Sequence, residues 1–399
     1  MFYQLLENSS KKEVKVLNLI ASNINDFRTK KAYYSIISNV LSKNDGLRFF
    51  QKMLKSEAFE IKIQYECEEE YYNAILAEQT CEICKKKINE HDYFEVFRPK
   101  YTSKLVEYNK EKCEEYFYPE SLIVIEDIRA NIHRIIPFVG AGVSKSVGLP
   151  LWMELFKEAK KFIPATHHNT FDLYYEKGDV DKIINFIYDT SSVIKNKESL
   201  KMKLIEPIIN SKIKDEILLD SIILDIVRCN LDYILTTNYD KLIEKTDALK
   251  NNLYSKSKNI LTFEGFQMLE DSQFIFHIHG DIDLLGSMVV TNSDYETLYE
   301  NEANKRILTG LINKRSMLFL GFSLKDKYFS EEFTNICESN KGYCTNYFVM
   351  INGNEGLKSE ILRTNNVDFV NIKTSSPNDY NIKEQFEFFV DYILGEIVI

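Results

Sequence analysis

The sequence lacks three features that would place it in a specialised class of protein. Acidic residues outnumber basic ones by 60 to 50, so no basic excess supports binding to nucleic-acid phosphates, and direct nucleic-acid binding is not expected. There is no apolar run long enough to span a bilayer. The opening residues, MFYQLLENSSKKEVK, lack the pattern of a secretory signal. We therefore expect a cytoplasmic protein that makes no use of a membrane.

Cysteine is scarce and irregularly placed. Seven cysteines without regular spacing do not suggest a disulfide framework, so we expect reduced thiols. Cys81 and Cys84 form a CxxC pair, which is a normal half of a zinc site, and Cys67, Cys113 or His91 could complete it. The flanking cysteines do not form a second CxxC, however. A structural zinc ion, a redox pair and ordinary thiols are therefore all open for this cluster.

The chain of 399 residues is long enough for two or three domains. Residues 1–118 carry apolar residues at helical spacing, as in KKEVKVLNLIASNINDF, and predict a mostly helical accessory or regulatory domain. Pro119 marks a boundary, because proline is favoured in the first turn of a new helix. Residues 119–399 then alternate short apolar runs with helical patterns and predict a second domain.

Six apolar runs in the second domain are predicted to be strands: IIPFV, LDYILTT, FIFHIH, SMLFLGF, TNYFVMIN and VDFVNI. They are rich in β-branched and aromatic residues without polar alternation, which is typical of parallel strands covered on both faces. Their alternation with helices predicts a doubly wound, Rossmann-like α/β fold. Ligands bind such sheets at the carboxyl ends of strands, so the residues after each run are the candidate site.

A glycine-rich turn, GAGVS at residues 140–144, follows the first run. Its glycines permit a close approach of the backbone, and a helix that begins there would direct free N–H groups at a phosphate. The third glycine of the dinucleotide fingerprint is missing, because Lys145 stands in its place. This stretch alone does not distinguish a ligand loop from a tight strand-to-helix turn.

Polar residues and glycines follow three further runs. Asn238 and Asp240 come after the second run, where on their own they would be turn residues or helix caps. His279 follows the third run, directly before a glycine, at a position suited to a general base. It shares a strand face with His277, but no further ligands beside this pair complete a metal site. The fourth run leads into Gly-x-Ser at residues 321–323.

The order of these motifs, each at the end of a predicted strand, resembles the sirtuin family over about residues 120–399. The stretches PFVGAGVS, TTNYDKLIE, HIHGDID, VVTNSDYETLY and LFLGFSLKD are most similar to the sirtuin-like effectors of bacterial anti-phage defence. The resemblance implies an NAD⁺-binding fold in which the glycine-rich turn is a ligand loop.

The resemblance also implies roles for single residues. Asn238 would face the nicotinamide ribose and a water molecule, Asp240 would shape that pocket, and His279 would be the base. The stretch GLPLW resembles the start of the sirtuin cofactor loop, with Met153 where arginine is usual. The residues expected to contact the dinucleotide are Gly140, Ala141, Gly142, Val143, Ser144, Trp152, Thr237, Gly321 and Ser323, of which Thr237 replaces the usual glutamine.

The chemistry expected from this resemblance is hydrolysis. Sirtuins that deacylate lysine carry a zinc module with paired CxxC motifs after the HG strand, and residues 280–316 of this chain contain no cysteine. With water as the nucleophile, the site would cleave NAD⁺ to nicotinamide and ADP-ribose, as the defence effectors do. The predicted function is an NAD⁺ glycohydrolase acting in abortive infection. Protein deacylation or ADP-ribosyl transfer, and non-catalytic binding of NAD or ADP-ribose as a sensor, are the alternatives.

The first domain contains no catalytic constellation. Unrestrained NAD⁺ hydrolysis would kill the cell that makes the enzyme, so residues 1–118 are expected to sense a trigger or hold an assembly. A plain structural role in oligomerisation is equally open. We expect a homo-oligomer that binds NAD⁺, with an ATPase or a phage protein as the candidate partner or trigger.

Overall fold

The computed structural model describes residues 2–250, 256–259, 273–312, 315–322, 344–353, 367–375 and 381–399. These residues form two compact units, of which the first contains the chain up to Glu115 together with Asp391–Ile399. The second unit is Tyr116–Val390, whereas the sequence suggested a boundary at Pro119 and placed the chain's last residues in the second domain. Residues 391–399 belong to the first unit because Asn109 Nδ2 donates a hydrogen bond of 2.7 Å to the carbonyl oxygen of Val398.

The helices of the first unit form where apolar residues recur at helical spacing. Lys11–Asn23 begins with a capping box, in which the Ser10 hydroxyl accepts from the Glu13 N–H and the Glu13 carboxylate accepts from the Ser10 N–H. Its Val16, Leu17 and Ile20 are fully buried in the core of the unit. The helices that begin in this unit are Phe2–Glu7, Lys11–Asn23, Lys30–Ile37, Lys43–Lys55 and Thr102–Tyr116.

The first unit also contains a four-stranded antiparallel sheet that the sequence pattern did not predict. Its strands are Arg28–Thr29 (β1), Phe59–Cys67 (β2), Glu70–Ala74 (β3) and Tyr93–Pro99 (β4), in the order β1-β4-β2-β3. Glu68 and Glu69, with φ of 50° and 66°, form the two-residue turn between β2 and β3. Glutamate is an unusual choice for these positions, so the hairpin carries no turn signal in the sequence. The unit is helical as predicted, with this sheet added.

The second unit is built on seven strands, Ile135–Val139 (β5), Tyr233–Thr236 (β6), Lys256–Asn259 (β7), Phe274–His277 (β8), Ser316–Leu320 (β9), Asn346–Ile351 (β10) and Val367–Ile372 (β11). Their order is β11-β10-β9-β5-β6-β8-β7, and every pairing is parallel. All six predicted strands are present, which confirms the Rossmann-like α/β fold. The seventh, β7, has the polar sequence KSKN and lies at the edge of the sheet, so no apolar run announces it.

Helices connect these strands, and Pro119 stands at the first position of the helix with which the predicted second domain began. None of the helices in the described residues is long and apolar enough to cross a membrane. The helices that begin in this unit are Pro119–Asn131, Ala141–Lys145, Trp152–Ala159, His168–Glu176, Val180–Thr190, Lys197–Ile209, Asp215–Leu218, Ile222–Arg228, Leu242–Lys250, Asn292–Glu300, Glu302–Ile312 and Lys383–Ile393.

The strand order reverses at β5. After β5 the chain proceeds on one side to β6 and on the other side, later in the sequence, to β9. Strands β5 and β9 are hydrogen-bonded neighbours whose outgoing connections lead in opposite directions, so their carboxyl ends form a topological switch point. The fold therefore opens a crevice at the ends of the central strands.

Candidate functional site

A cavity of about 890 Å³ lies at this switch point, a size within the usual range of small-molecule sites. Part of its lining comes from residues that follow the carboxyl ends of β5, β6, β8 and β9, which brings the four predicted motifs together. The predicted site residues that line it are Ala141, Gly142, Ser144, Trp152, Thr237, Asn238, Asp240, His279 and Gly321.

The glycine-rich turn packs against the end of β9. The Gly142 N–H donates a hydrogen bond of 2.8 Å to the carbonyl oxygen of Gly321, and the Gly140 N–H donates one of 2.8 Å to that of Leu320. A Cβ on Gly142 would lie 2.7 Å from the Gly321 carbonyl oxygen, and Gly321 itself has a φ of +70°. The glycines are thus required for this backbone contact. Because this contact uses the N–H groups of Gly140 and Gly142, these two groups are not available to a ligand phosphate.

Gly140 and Val143 are not among the lining residues. A Cβ on Gly140 would lie 3.0 Å from the Phe322 ring. Val143 is buried, and its backbone packs against Gly321. Both hold the turn in place behind the residues that face the cavity. Ser323, the ninth predicted contact, lies outside the described residues.

Asn238 lies at the end of β6 and is 6% exposed. Its Nδ2 donates to the Ser144 hydroxyl at 3.0 Å and to the Gly140 carbonyl oxygen at 3.3 Å. Because a carbonyl oxygen only accepts, these bonds fix which end of the amide carries the nitrogen. The other end, Oδ1, is buried and has no hydrogen-bond partner. A buried amide oxygen of this kind is costly unless a ligand or water completes it.

Asp240 also bonds the Ser144 hydroxyl. Its Oδ2 accepts the Ser144 hydroxyl at 2.8 Å and its Oδ1 accepts the Leu242 N–H at 3.1 Å. Burial raises the pKa of the Asp240 carboxyl, and these two hydrogen bonds oppose that rise. Asn238, Ser144 and Asp240 therefore form a continuous hydrogen-bonded chain in the cavity wall.

His279 follows β8 and is 5% exposed. Burial lowers its pKa to about 3, so the imidazole is neutral over the physiological range. Its Nε2 lies 2.8 Å from the Tyr299 hydroxyl, and the Tyr295 ring meets it edge-on with centroids 5.5 Å apart. The neutral imidazole can therefore accept a proton, but the same burial makes it a weaker base than a histidine in water.

His277 is a buried neighbour rather than a cavity residue. Its Nδ1 lies 2.8 Å from the carbonyl oxygen of Asn238, so Nδ1 must carry a proton and donate it. Its Nε2 lies 2.7 Å from Glu244 Oε1. Burial acts to raise the pKa of Glu244, but the hydrogen bonds from His277 and Ser257 and the nearby Lys241 ammonium together outweigh it and lower the pKa. The contact with Glu244 holds His277 in the position from which it bonds the backbone of Asn238.

The segment that joins the helix Ala141–Lys145 to the helix Trp152–Ala159 forms one wall of the cavity. Gly148 has a φ of +99°, which favours glycine, and Lys145 bonds the Glu154 carboxylate at 2.7 and 2.9 Å. Trp152 begins the second helix and packs edge-on against Phe156, with centroids 5.0 Å apart. Pro150, Trp152 and Met153 all line the cavity, so the stretch that resembles a cofactor loop contributes directly to it.

Several residues at the cavity were not predicted as site residues. Tyr295 lines the cavity, and Tyr299, four positions later on the helix Asn292–Glu300, stacks on it with ring centroids 6.2 Å apart and contacts His279. That spacing places both rings on one helix face, and it is a signal that the stretch YETLY carries. Tyr239 and residues 175–181 also line the cavity, and no sequence signal marks the latter.

The described residues of the first unit contain a separate group of metal-ligating side chains. One donor atom each of Cys67, Cys81, Cys84 and His91 lies within 4.8 Å of the others. Cys113, the remaining candidate, is a buried residue of the helix Thr102–Tyr116 and is not in this group.

Comparison with known proteins finds similarity for part of the α/β unit. The profile of the SIR2-like domain matches residues 232–370. Proteins named NAD(+) hydrolase ThsA are similar over 47% of this chain: that of Enterococcus faecium is 29% identical over 194 residues, 37% of its length. That of Cytobacillus dafuensis is 28% identical over 201 residues, 35% of its length, and that of Bacillus cereus (strain MSX-D12) is 27% identical over 198 residues, 37% of its length.

The match spans little more than a third of these relatives' own length. The match to the SIR2-like domain profile, residues 232–370, includes the strands β6 and β8 that place Asn238 and His279 at the cavity. The prediction of a sirtuin-like domain from motif order is confirmed for residues 232–370, and part of the chain is similar to proteins named NAD(+) hydrolase ThsA.

Proposed function

We propose that the second unit hydrolyses the N-glycosidic bond of NAD⁺ and releases nicotinamide and ADP-ribose. The observation that carries this proposal is the unpartnered, buried Oδ1 of Asn238, in a cavity that is also lined by the neutral imidazole of His279. Activation of a water molecule needs a hydrogen-bond acceptor in a fixed orientation and a base beside it. The relatives' names support the choice of NAD⁺ as the substrate.

The reaction is a glycosidic cleavage through an oxocarbenium-like state. Nicotinamide is a cation in NAD⁺ and leaves as a neutral molecule with the electron pair of the broken C–N bond, so it needs no general acid. The oxygen of one water molecule forms the new bond to C1′ of the ribose, and the water gives up one proton. The protein has to exclude bulk water, hold the ribose and accept that proton.

Asn238 and His279 are the proposed catalytic residues. Asn238 Oδ1 accepts a hydrogen bond from the attacking water or from a ribose hydroxyl and so orients it. His279 accepts the proton, directly or through a ribose hydroxyl, which contributes typically about 10²–10⁴ in rate. Asp240, which the sequence grouped with these two, acts through Ser144 by keeping the Asn238 amide in one orientation.

Other residues of the cavity are proposed to bind the dinucleotide. Aromatic rings such as that of Trp152 exclude water from the reacting centre and pack against the nicotinamide ribose half. Gly140 and Val143 act by positioning the turn, and Ser323 remains a predicted contact. The residues proposed to contact NAD⁺ are Ala141, Gly142, Ser144, Trp152, Thr237 and Gly321.

The test is to incubate the full chain with NAD⁺ and to measure nicotinamide, ADP-ribose and bound NAD⁺ by chromatography. Equal amounts of nicotinamide and ADP-ribose are expected, and Asn238→Ala and His279→Ala should each lower the rate at least about 100-fold without unfolding the protein. Asn210→Ala and His133→Ala, at exposed positions outside the cavity lining, are the matched controls and should retain the wild-type rate.

Other products would identify the alternatives. Nicotinamide without equal ADP-ribose would indicate transfer or deacylation, and bound NAD⁺ without turnover would indicate a sensor. If the full chain neither binds nor cleaves NAD⁺, alone or in an extract of phage-infected cells, the proposal is wrong.

The biological setting is proposed on the similarity of the motifs to defence effectors. The chain acts in the cytoplasm as a homo-oligomer that depletes NAD⁺ on infection, and the first unit restrains it or assembles it until a partner ATPase or a phage protein triggers it. The reaction itself uses residues of the second unit. Cellular NAD⁺, measured after expression with and without phage, should fall only in infected cells that carry intact Asn238 and His279.

A further inference from the structure

The strongest unassigned feature is the group of four metal-ligating side chains in the first unit. Cys67, Cys81, Cys84 and His91 each direct one donor atom to a common point, with all four atoms within 4.8 Å of one another. In a tetrahedron with Zn–S of about 2.3 Å and Zn–N of about 2.0–2.1 Å, neighbouring donors lie roughly 3.5–3.8 Å apart. We propose that these residues bind one structural Zn²⁺ ion. The proposal is independent of the NAD⁺ reaction.

His91 already has the tautomer that a metal ligand needs. Its Nδ1 lies 3.0 Å from the carbonyl oxygen of Lys87, and because that oxygen only accepts, Nδ1 carries the proton. Nε2 is left with its lone pair and lies 3.1 Å from Cys84 Sγ. The Tyr65 ring packs edge-on against the imidazole, with centroids 5.3 Å apart, and fixes its plane. A backbone acceptor on the second ring nitrogen is the usual support of a zinc-bound histidine.

The CxxC segment folds as a tight turn that turns both sulfurs to the same side. The Lys85 N–H donates to the Cys81 carbonyl oxygen at 3.1 Å, and the Cys81 N–H donates to that of Lys86 at 2.8 Å. Lys85 has a φ of 65°, a conformation that a side chain other than glycine adopts only when its surroundings impose it. The unusual backbone conformation of this turn is explained if the two sulfurs bind the same metal ion.

Cys67 comes from a different element. It is the last residue of β2, directly before the two-residue turn to β3, and it is buried. One ion would therefore join the end of this hairpin to the CxxC turn and to His91, which lies just before β4. Three points of the chain that are separated in sequence would be held by a single centre.

This part of the unit has little else to hold it. Its apolar cluster has four buried members, Tyr65, Cys67, Cys81 and Ile88, and two of them are proposed ligands. Between β3 and β4, the regular structure of residues 75–92 is limited to the short 3₁₀ turn Ile88–Glu90 and a single antiparallel bridge between Thr80 and Lys87. Small lobes without a sufficient core are commonly stabilised by a structural metal. Zinc supplies the cross-link that apolar burial does not.

The donor set selects zinc. Three thiolates and one imidazole in a closed tetrahedral arrangement are typical of structural Zn²⁺ sites. A disulfide would join only two of the three cysteines and leave the third without a role, and all three sulfurs are free thiols in the structure. The redox-pair and ordinary-thiol interpretations of Cys81 and Cys84 are therefore less well supported than metal binding.

The test is the metal content of the full chain, purified without chelator and without added metal. Elemental analysis should find about one zinc per chain, and the metal-free chain reloaded with Co²⁺ should show the visible absorption of a tetrahedral cobalt–thiolate site. Cys84→Ser and His91→Gln should each lose most of the zinc. The matched controls Cys113→Ser and His133→Gln should retain it.

A second measurement on the wild-type chain keeps the proposal testable if a variant does not fold. A thiol reagent followed by mass spectrometry should label Cys67, Cys81 and Cys84 only after the zinc has been removed by a chelator. The proposal is wrong if the chain holds less than about a tenth of an equivalent of zinc, if another metal is present in stoichiometric amount, if Cys81 and Cys84 are joined by a disulfide, or if Cys84→Ser retains full zinc.

Discussion

The hydroxyl of Ser144 donates a hydrogen bond of 2.8 Å to Asp240 Oδ2. The same oxygen accepts the Asn238 amide at 3.0 Å, so a serine from the β5 turn connects two residues from the end of β6. The order of donors along this chain leaves one atom of the Asn238 side chain, the amide oxygen Oδ1, without a partner. The orientation of the proposed catalytic amide is therefore set from the neighbouring strand.

Replacing Ser144 by alanine should loosen that orientation. Two hydrogen bonds are lost. Loss of the one from Asn238, worth about 1 kcal/mol, would lower the rate of nicotinamide release at least about fivefold, and loss of the other leaves the buried Asp240 with one partner fewer. Ser146→Ala is the control, because the Ser146 hydroxyl donates only within its own turn, to the Val143 carbonyl oxygen. The rates of both variants are measured against wild type. Equal rates for both would show that Ser144 does not position the amide.

Gly321→Ala should destabilise the second unit. A Cβ at this position would lie 2.5 Å from the backbone nitrogen of Val143, and the φ of +70° is itself unfavourable for alanine. A loss of more than about 2 kcal/mol in the free energy of unfolding is expected, measured by urea denaturation. Gly286→Ala, where an added Cβ meets nothing within 4 Å, should change it by less than about 0.5 kcal/mol. Equal urea midpoints for wild type and Gly321→Ala would contradict the close contact between the loops that follow β5 and β9.

The neutral His279 makes stability depend on pH in a definite direction. Its pKa is about 3 in the folded chain, against about 6.5 for an unfolded histidine. Between these values the unfolded chain takes up a proton that the folded chain does not, so the free energy of unfolding falls as the pH is lowered below about 6.5. The slope from this group approaches about 1.4 kcal/mol per pH unit.

The matched variant for this prediction is His279→Gln, which should lose that part of the slope. We choose the range from pH 7 to pH 5 and measure the free energy of unfolding of both proteins by chemical denaturation. The two free energies should converge or cross as the pH falls. If the difference between the two proteins does not change with pH, the imidazole is not held neutral by burial.

His277 offers a pair of substitutions that separates its two contacts. Asparagine can keep the donor to the Asn238 carbonyl oxygen, as Nδ1 does, whereas glutamine extends toward Glu244, as Nε2 does. His277 does not line the cavity, so KM for NAD⁺ should change little in either variant. We expect kcat of His277→Gln to be at least about fivefold below that of His277→Asn, because the buried carbonyl loses its donor. The reverse order would show that the contact with Glu244 is the more important one.

The strands of the second unit could be predicted because burial on both faces leaves a clear pattern. β11 has the bounds of the predicted run VDFVNI, and the strand of polar sequence, β7, left no such pattern. The hairpin of the first unit was missed for a related reason. Its turn uses Glu68 and Glu69 in a conformation usually given to asparagine or glycine, and the strands beside it carry many charged and tyrosine residues.

The candidate site was predictable where strand ends carry it, and not where side chains meet across the fold. The sequence pointed to Asn238 and His279 as residues after buried strands. It could not show that Ser144 would fix the amide, that Tyr299 would bond the imidazole, or that the N–H of Gly142 would be used by Gly321. These contacts depend on the distance between loops that are far apart in the chain.

The assignment of Asp391–Ile399 to the first unit has a consequence for the order of events during synthesis. Lys15 forms an ion pair of 2.6 Å with Asp391, and the Val398 carbonyl oxygen accepts the Asn109 amide, so the first unit lacks these contacts until a ribosome has translated the whole of Tyr116–Val390. The second unit can thus emerge and fold while the first is still incomplete. If the first unit controls the proposed cleavage of NAD⁺, that control can begin only after translation has passed Val390.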